Sequence, residues 1–96
     1  MSEIEKRFEG RLRNTIVESA ALGYYPSRFE QMLNSSSGIS VAKKLVTSGD
    51  LHYGLKELKK LGRLDLTVES IMMEDEFRLL FTQAELDAAK WRLEQA

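Results

Sequence analysis

Residues 64–72 read LDLTVESIM, and this stretch decides whether the chain is purely helical. Its first five residues alternate apolar and polar side chains, which is the spacing of a half-buried β-strand. Three apolar positions are too few to establish a strand, and the apolar residues that follow, Val68 and Ile71, are spaced as in a helix. We therefore predict a short helix here, capped at its start by Asp65 or Thr67.

The N-terminal segment carries the clearest helical pattern in the chain. Apolar residues recur there every four positions and form a single stripe along one face of a helix. They are Ile4, Phe8, Leu12, Ile16 and Ala20. Gly23 follows as a helix stop, because glycine readily adopts the left-handed conformation that ends helices. Residues 1–22 are predicted to form one helix of the domain, and the alternatives are that this helix is peripheral or that its stripe pairs with the same helix of a second copy.

After this first helix, the pattern indicates short helices joined by glycine- and serine-rich turns. Pro26 suits the first turn of a second helix, because its missing N–H needs no partner there. Residues 34–38 (NSSSG) end that helix, and a third helix runs up to residues 47–49. Asp50 suits the start of a fourth helix, which Gly62 ends.

The C-terminal part shows a further helical turn at residues 77–81 and then a last helix. Thr82 and Glu85 form a capping box, in which each side chain accepts a hydrogen bond from the backbone N–H of the other residue. The apolar stripe of this helix consists of Leu86, Ala89 and Leu93.

Composition restricts the class of protein. The chain has 96 residues, enough for one domain, and its 43% apolar and 30% charged residues are typical of a globular protein. With 14 basic and 15 acidic residues the net charge is −1, so no overall field favours nucleic acid or an acidic membrane. We predict an all-α fold: a compact orthogonal bundle of short helices, about five or six of them, forming a single domain over residues 1–96.

The cellular setting is predicted from absences in the sequence. There is no cysteine, which excludes disulfides, thiol nucleophiles and cysteine metal sites and fits a reducing compartment. The charged N-terminus lacks the apolar core of a signal peptide, and no apolar run is long enough to span a membrane. We predict a cytoplasmic protein without membrane contact.

No set of residues in the sequence has the spacing of a catalytic or metal site. His52 is the only histidine, so a histidine pair for zinc is excluded, and a packed position near a helix start is favoured for it. Asp65 and Glu69 lie four apart and could act as paired carboxylates, but helix capping and the helix dipole explain both. Residues 74–76 (EDE) indicate a solvated turn. We predict a protein that is not an enzyme and needs no cofactor or metal.

Two surfaces could bind a partner, and the first is basic. Lys56, Lys59, Lys60 and Arg63 are spaced to project from one side of the fourth helix. Lys43 and Lys44 would lie nearby if the third and fourth helices formed a helix-turn-helix unit. This unit would lack the residues that read base edges near the start of a recognition helix. A small nucleic-acid-binding accessory protein is therefore kept as the alternative function.

The second surface is aromatic. Trp91 falls on the side of the last helix away from its apolar stripe and shares that side with Ala84 and Ala88. Tyr24 and Tyr25 form an aromatic pair at the junction of the first two helices. Tryptophan and tyrosine contribute disproportionately to binding at protein interfaces. We predict a non-catalytic adaptor or regulatory module whose partner is another protein.

Residues 24–93 also resemble a group of short bacterial all-helical proteins and appended segments. The most specific part is GRLDLTVE at residues 62–69, accompanied by landmarks such as Tyr25-Pro26, Leu80-Phe81-Thr82 and Arg92-Leu93. Some members of that group lie beside or are fused to restriction-type endonucleases, ATPases and other genome-defence proteins. The resemblance implies a helical core over residues 24–95 and a genomic setting, but no catalytic residue. We interpret residues 62–69 as a structural joint between helices.

Overall fold

The computed structural model describes residues 2–47 and 53–96, and every regular element in these ranges is helical. The α-helices are α1 (Glu3–Ala21), α2 (Ser27–Ser35), α3 (Gly38–Thr47), α4 (Tyr53–Lys60), α5 (Val68–Met72) and α6 (Gln83–Gln95). Short 3-10 turns at Leu64–Leu66 and Arg78–Leu80 precede α5 and α6. The all-α prediction is confirmed for these ranges, whereas the predicted roles of Asp50 and His52 lie outside them.

The segment that resembles a strand in sequence is a 3-10 turn followed by α5. Leu66 is buried and Asp65 is exposed, so a tight turn accounts for the alternation of apolar and polar residues. Thr67 caps α5, because its Oγ1 accepts a hydrogen bond from the backbone N–H of Ser70 at 3.2 Å. Of the two predicted caps, Thr67 is the correct one, and Asp65 is engaged elsewhere.

The predicted helix boundaries at Gly23, Gly62 and Thr82 are confirmed. Both glycines have positive φ, +96° and +71°, in the region that side chains with a Cβ rarely adopt. At the start of α6, the backbone N–H of Glu85 donates to Thr82 Oγ1 at 3.1 Å. The backbone N–H of Thr82 donates to Glu85 Oε1 at 2.9 Å, which completes the capping box.

Helix α1 lies at the centre of the packing rather than at its edge. Phe8 and Leu12 are fully buried, and Ile16 is nearly so. The Phe8 ring lies edge-on to the rings of Phe77 and Phe81, with centroid distances of 5.3 Å to each. The apolar stripe of α1 is thus enclosed within its own domain. Pairing of this stripe with a second copy would require the domain to open, and a peripheral position for α1 is corrected.

Polar side chains of α1 also hold the neighbouring helices. Glu9 Oε1 accepts a hydrogen bond from the backbone N–H of Gly38, the first residue of α3, at 3.0 Å. Arg13 donates to the backbone carbonyl of Leu33 in α2 at 3.1 Å. Both bonds satisfy backbone groups at helix ends that have no partner within their own helix.

The remaining helices pack around the same core. Helices α3 and α5 contact each other, and each also contacts α1 and α6, while α4 packs against the 3-10 turn at Leu64–Leu66. The radius of gyration is 12.2 Å, which is about the value expected for a compact domain of this length.

A buried ion pair joins α5 to α6 inside this core. Arg92 Nε donates to Glu69 Oε2 at 2.8 Å, and the two side chains are 1% and 0% exposed. Glu69 lies in the first turn of α5, where the sequence predicted it, but its burial beside Arg92 was not predicted. Arg92 follows Ala89 by three positions, so helical spacing places it beside the apolar stripe of α6. This spacing is the feature of the sequence that could have predicted its burial.

Removing one partner of this pair should destabilise the domain strongly. Arg92→Leu leaves the Glu69 carboxylate buried without its counter-charge, and we expect the free energy of unfolding to fall by about 3 kcal/mol or more. Glu69→Leu should act similarly. The double variant Glu69→Leu/Arg92→Leu should lose less than the sum of the two, because no lone charge remains buried.

Urea unfolding followed by circular dichroism measures these differences, with Lys90→Leu on the exposed side of α6 as the control. Additive losses in the double variant, or single losses no larger than that of Lys90→Leu, would contradict this role for the pair.

Candidate functional site

The side of α6 that points away from the core carries the predicted tryptophan. Trp91 is 50% exposed, Ala84 is exposed and Ala88 is half-buried. Trp91 and Ala84 lie on the side of α6 opposite the buried Leu86 and Ala89, and Ala88 lies at the edge of that side and packs in part against the core. These three residues are called the Trp91 face from here on. Half of the largest apolar side chain in the chain is therefore open to solvent beside small residues.

Tyr24 and Tyr25 belong to a different surface. Both line a cavity of about 620 Å³, to which α6 contributes no described residue. Tyr25 is 54% exposed, and its hydroxyl donates to the Glu30 carboxylate at 2.7 and 2.8 Å. This hydrogen bond, which ionisation would break, raises the pKa of Tyr25 above its ordinary value. The predicted protein-contact residues therefore form two sites rather than one.

This cavity, called the tyrosine pocket, lies among α1, α2, α3, α4 and the 3-10 turn before α5. Its volume is within the range of about 300–1,000 Å³ that is typical of small-molecule sites. Most of its described lining is apolar, including Tyr24, Phe29, Met32, Leu45, Leu55 and Leu58. Sequence reasoning did not find the pocket, because its walls come from separate helices whose relative placement no local pattern specifies.

The hydroxyl groups that line the tyrosine pocket differ in their hydrogen bonds. Thr15 donates to the Leu12 carbonyl at 2.6 Å and Thr67 to the Leu64 carbonyl at 2.7 Å. Ser19 is only 1% exposed, and its Oγ has no hydrogen-bond partner among the described residues. The described wall of the tyrosine pocket thus contains one buried hydroxyl that has no hydrogen-bond partner.

Of the basic residues predicted to share one face of the fourth helix, Arg63 does not lie on the helix. Helix α4 ends at Lys60, and Gly62 turns the chain before Arg63, which therefore lies outside the helix. Arg63 forms two hydrogen bonds of 3.0 Å to the Asp65 carboxylate. These hydrogen bonds hold the pKa of Asp65 below its ordinary value. The prediction of a four-residue basic helix face is therefore wrong at Arg63.

Other members of that basic set also have partners. Lys60 Nζ lies 3.4 Å from Glu57 Oε1, and Lys59 donates to the backbone carbonyl of Ala96. Lys56 is exposed on α4. The connection between α3 and α4, residues 48–52, lies outside the described residues. Three of the four basic residues, Lys59, Lys60 and Arg63, therefore contact oxygen atoms of neighbouring residues.

The carboxylates considered for catalysis are not brought together. Asp65 is exposed beside Arg63, whereas Glu69 is buried beside Arg92. Among the residues that the structure describes, no group of three or more histidine, cysteine, aspartate or glutamate side chains is placed to hold a metal ion. Over the same ranges, none of the helices combines the length and apolar character needed to cross a membrane.

Comparison with known proteins adds no identification. No protein-family model, curated protein or solved structure matches this chain. The resemblance to short bacterial helical proteins therefore stays a prediction. Within residues 62–69, the structure shows what individual positions do: Gly62 ends α4, Thr67 caps α5 and Glu69 contacts Arg92.

Replacing the unused hydroxyl in the pocket wall should not weaken the fold. We expect Ser19→Ala to leave the free energy of unfolding unchanged or to raise it by up to about 1 kcal/mol, because a buried hydroxyl without a partner costs desolvation. Thr67→Val is the matched control, since it removes a buried hydroxyl that caps a helix, and it should cost about 1 kcal/mol. Urea unfolding compares the two. A loss for Ser19→Ala as large as that for Thr67→Val would show that Ser19 Oγ is engaged.

Proposed function

We propose that the protein is a non-catalytic protein-interaction module whose partner docks on the Trp91 face. The observation that carries this proposal is the 50% exposure of Trp91 on the outer side of α6. Ala84 and Ala88 extend no long side chains beside it, so a partner surface can approach the helix closely. A tryptophan that is half-exposed in the free protein and buried on binding supplies a large contact area and an N–H donor.

Charge distribution favours a protein partner over nucleic acid. The net charge is −1, and Lys43, Lys60 and Arg63 are paired with acidic side chains. Binding to a phosphate backbone depends on cations that displace the counterions of the nucleic acid. Cations already held by carboxylates contribute less to such binding, so nucleic-acid binding is not proposed.

The resemblance over residues 24–93 adds a setting to the proposal: a cytoplasmic regulator or adaptor that acts with a genome-defence protein. This setting rests on the resemblance alone, and the docking surface does not depend on it.

Substitution of Trp91 should weaken partner binding without unfolding the domain. We expect Trp91→Ala to lower the affinity for the captured partner about tenfold or more, as for a central aromatic residue of an interface. Lys90→Ala, an exposed neighbour on the same helix, is the matched control and should change affinity little. The measurement is quantitative pull-down from native cells with the full chain as bait, after circular dichroism has shown that each variant is folded.

A photo-reactive residue in place of Ala84 tests whether the partner binds at the Trp91 face. It should cross-link the same partner, while one in place of exposed Lys6 on α1 should not. Equal capture by Trp91→Ala and the wild type, or no partner above background, rules out docking on this face.

A further inference from the structure

The tyrosine pocket has a basic edge that forms no ion pair with a carboxylate of the described residues. Arg28 of α2 and Lys44 of α3 both line the pocket, and both are exposed. Neighbouring Lys43 is paired with Glu85 at 3.7 Å. Neither the Arg28 nor the Lys44 side chain forms an ion pair or a hydrogen bond among the described residues. An apolar cavity therefore opens beside two cations that have no counter-ion in the described part of the chain.

These two cations also face a second, more polar depression. Its volume is about 330 Å³, and it shares Arg28, Met32 and Lys44 with the tyrosine pocket. Its other described lining includes Gln31, Ser35, Ser36 and Ser40. The molecular surface therefore passes from an apolar cavity, across two cations, to a depression rich in hydroxyl and amide groups.

An apolar cavity next to two cations matches a molecule with an apolar body and an anionic end. We propose that the tyrosine pocket binds a medium-chain fatty acid, with its alkyl chain in the pocket and its carboxylate between Arg28 and Lys44. A guanidinium presents two parallel N–H donors to a carboxylate, and an ammonium adds a point charge. This site lies on other elements than the Trp91 face, so the inference does not depend on the proposed protein partner.

The interior of the pocket suits an alkyl chain rather than a polar ligand. Phe29, Met32 and Leu45 are only partly buried, so contact with an alkyl chain replaces their contact with water. The hydroxyls of Thr15 and Thr67 already donate to backbone carbonyls. Ser19 offers the one unused buried hydroxyl, which an alkyl chain neither needs nor satisfies.

Decanoate is the probe for the full chain, and decanol and decyltrimethylammonium are the matched probes with a neutral and a cationic end. Titrations followed by heteronuclear NMR and by calorimetry should show decanoate binding with shifts centred on Met32, Leu45 and Leu55. We expect decanoate to bind about fivefold or more tightly than decanol at low salt, since two surface cations favour the carboxylate. The preference should shrink as sodium chloride screens the charges.

Variants of the protein separate the charge contribution from the cavity contribution. Arg28→Glu/Lys44→Glu should weaken decanoate binding about tenfold or more and leave decanol binding nearly unchanged. Lys6→Glu/Lys90→Glu, at exposed positions on α1 and α6, is the charge-matched control and should have no such effect. Leu45→Trp places a larger side chain in the pocket and should weaken both probes. Urea unfolding checks that this last variant is folded, and the charge variants alter only exposed side chains.

Several results would overturn the proposal. They are no decanoate binding, equal binding of the three probes, or binding that the charge and cavity variants leave unchanged. Loss of decanoate binding in Ser19→Ala would place the carboxylate at Ser19 instead of at the basic edge, contrary to the proposal. Light scattering that shows a dimer abolished by Leu45→Trp would make a second copy the occupant. If a leucine-rich acidic helical peptide displaced decanoate at a concentration lower than that of decanoate, the occupant of the pocket would be a protein segment.

Discussion

The contact between Glu69 and Arg92 constrains how the helices of this domain can pack. Moving two charges from water into a protein interior costs several kcal/mol for each ion, and only a close, well-aligned contact offsets that cost. At 2.8 Å, with both side chains almost fully buried, the pair holds α5 and α6 in one relative position. Helices α3 and α5 also contact α1. The alignment that satisfies the two charges therefore extends through the core, because a shift of α5 would break the pair and the packing together.

Helix α1 adds a second layer of constraint, which is polar and lies closer to the surface. Glu9 holds the start of α3, and Arg13 holds the end of α2 through backbone groups. Arg11 lies 3.3 Å from Glu74, in the segment after α5. A domain of this size buries a smaller fraction of its surface than a larger one, so its core alone contributes limited stability. Directional hydrogen bonds from one central helix to three neighbouring segments compensate by specifying where those segments lie.

The same arrangement leaves two different surfaces for binding. The outer side of α6 presents a half-exposed tryptophan beside alanines, which suits a flat protein surface. The tyrosine pocket is concave and apolar, and its edge carries Arg28 and Lys44. Elsewhere in the described ranges, cations such as Lys43, Lys60 and Arg63 are paired with carboxylates. A net charge near zero thus conceals a local feature: two cations without an ion pair among the described residues lie where an apolar cavity opens. The two surfaces involve different helices, so occupation of one does not exclude occupation of the other.

Local patterns in the sequence predicted the helices well and the sites only in part. The four-residue stripe of α1, the stops at Gly23 and Gly62 and the capping box at Thr82 depend on interactions within a few residues, which a sequence displays directly. The exposed side of Trp91 follows from helical spacing in the same way. Burial of Glu69 beside Arg92, enclosure of the α1 stripe and assembly of the tyrosine pocket depend on side chains from helices far apart in the chain. Their positions are set by packing and by the high cost of an unpaired buried charge, and only the tertiary structure decides which distant residues meet.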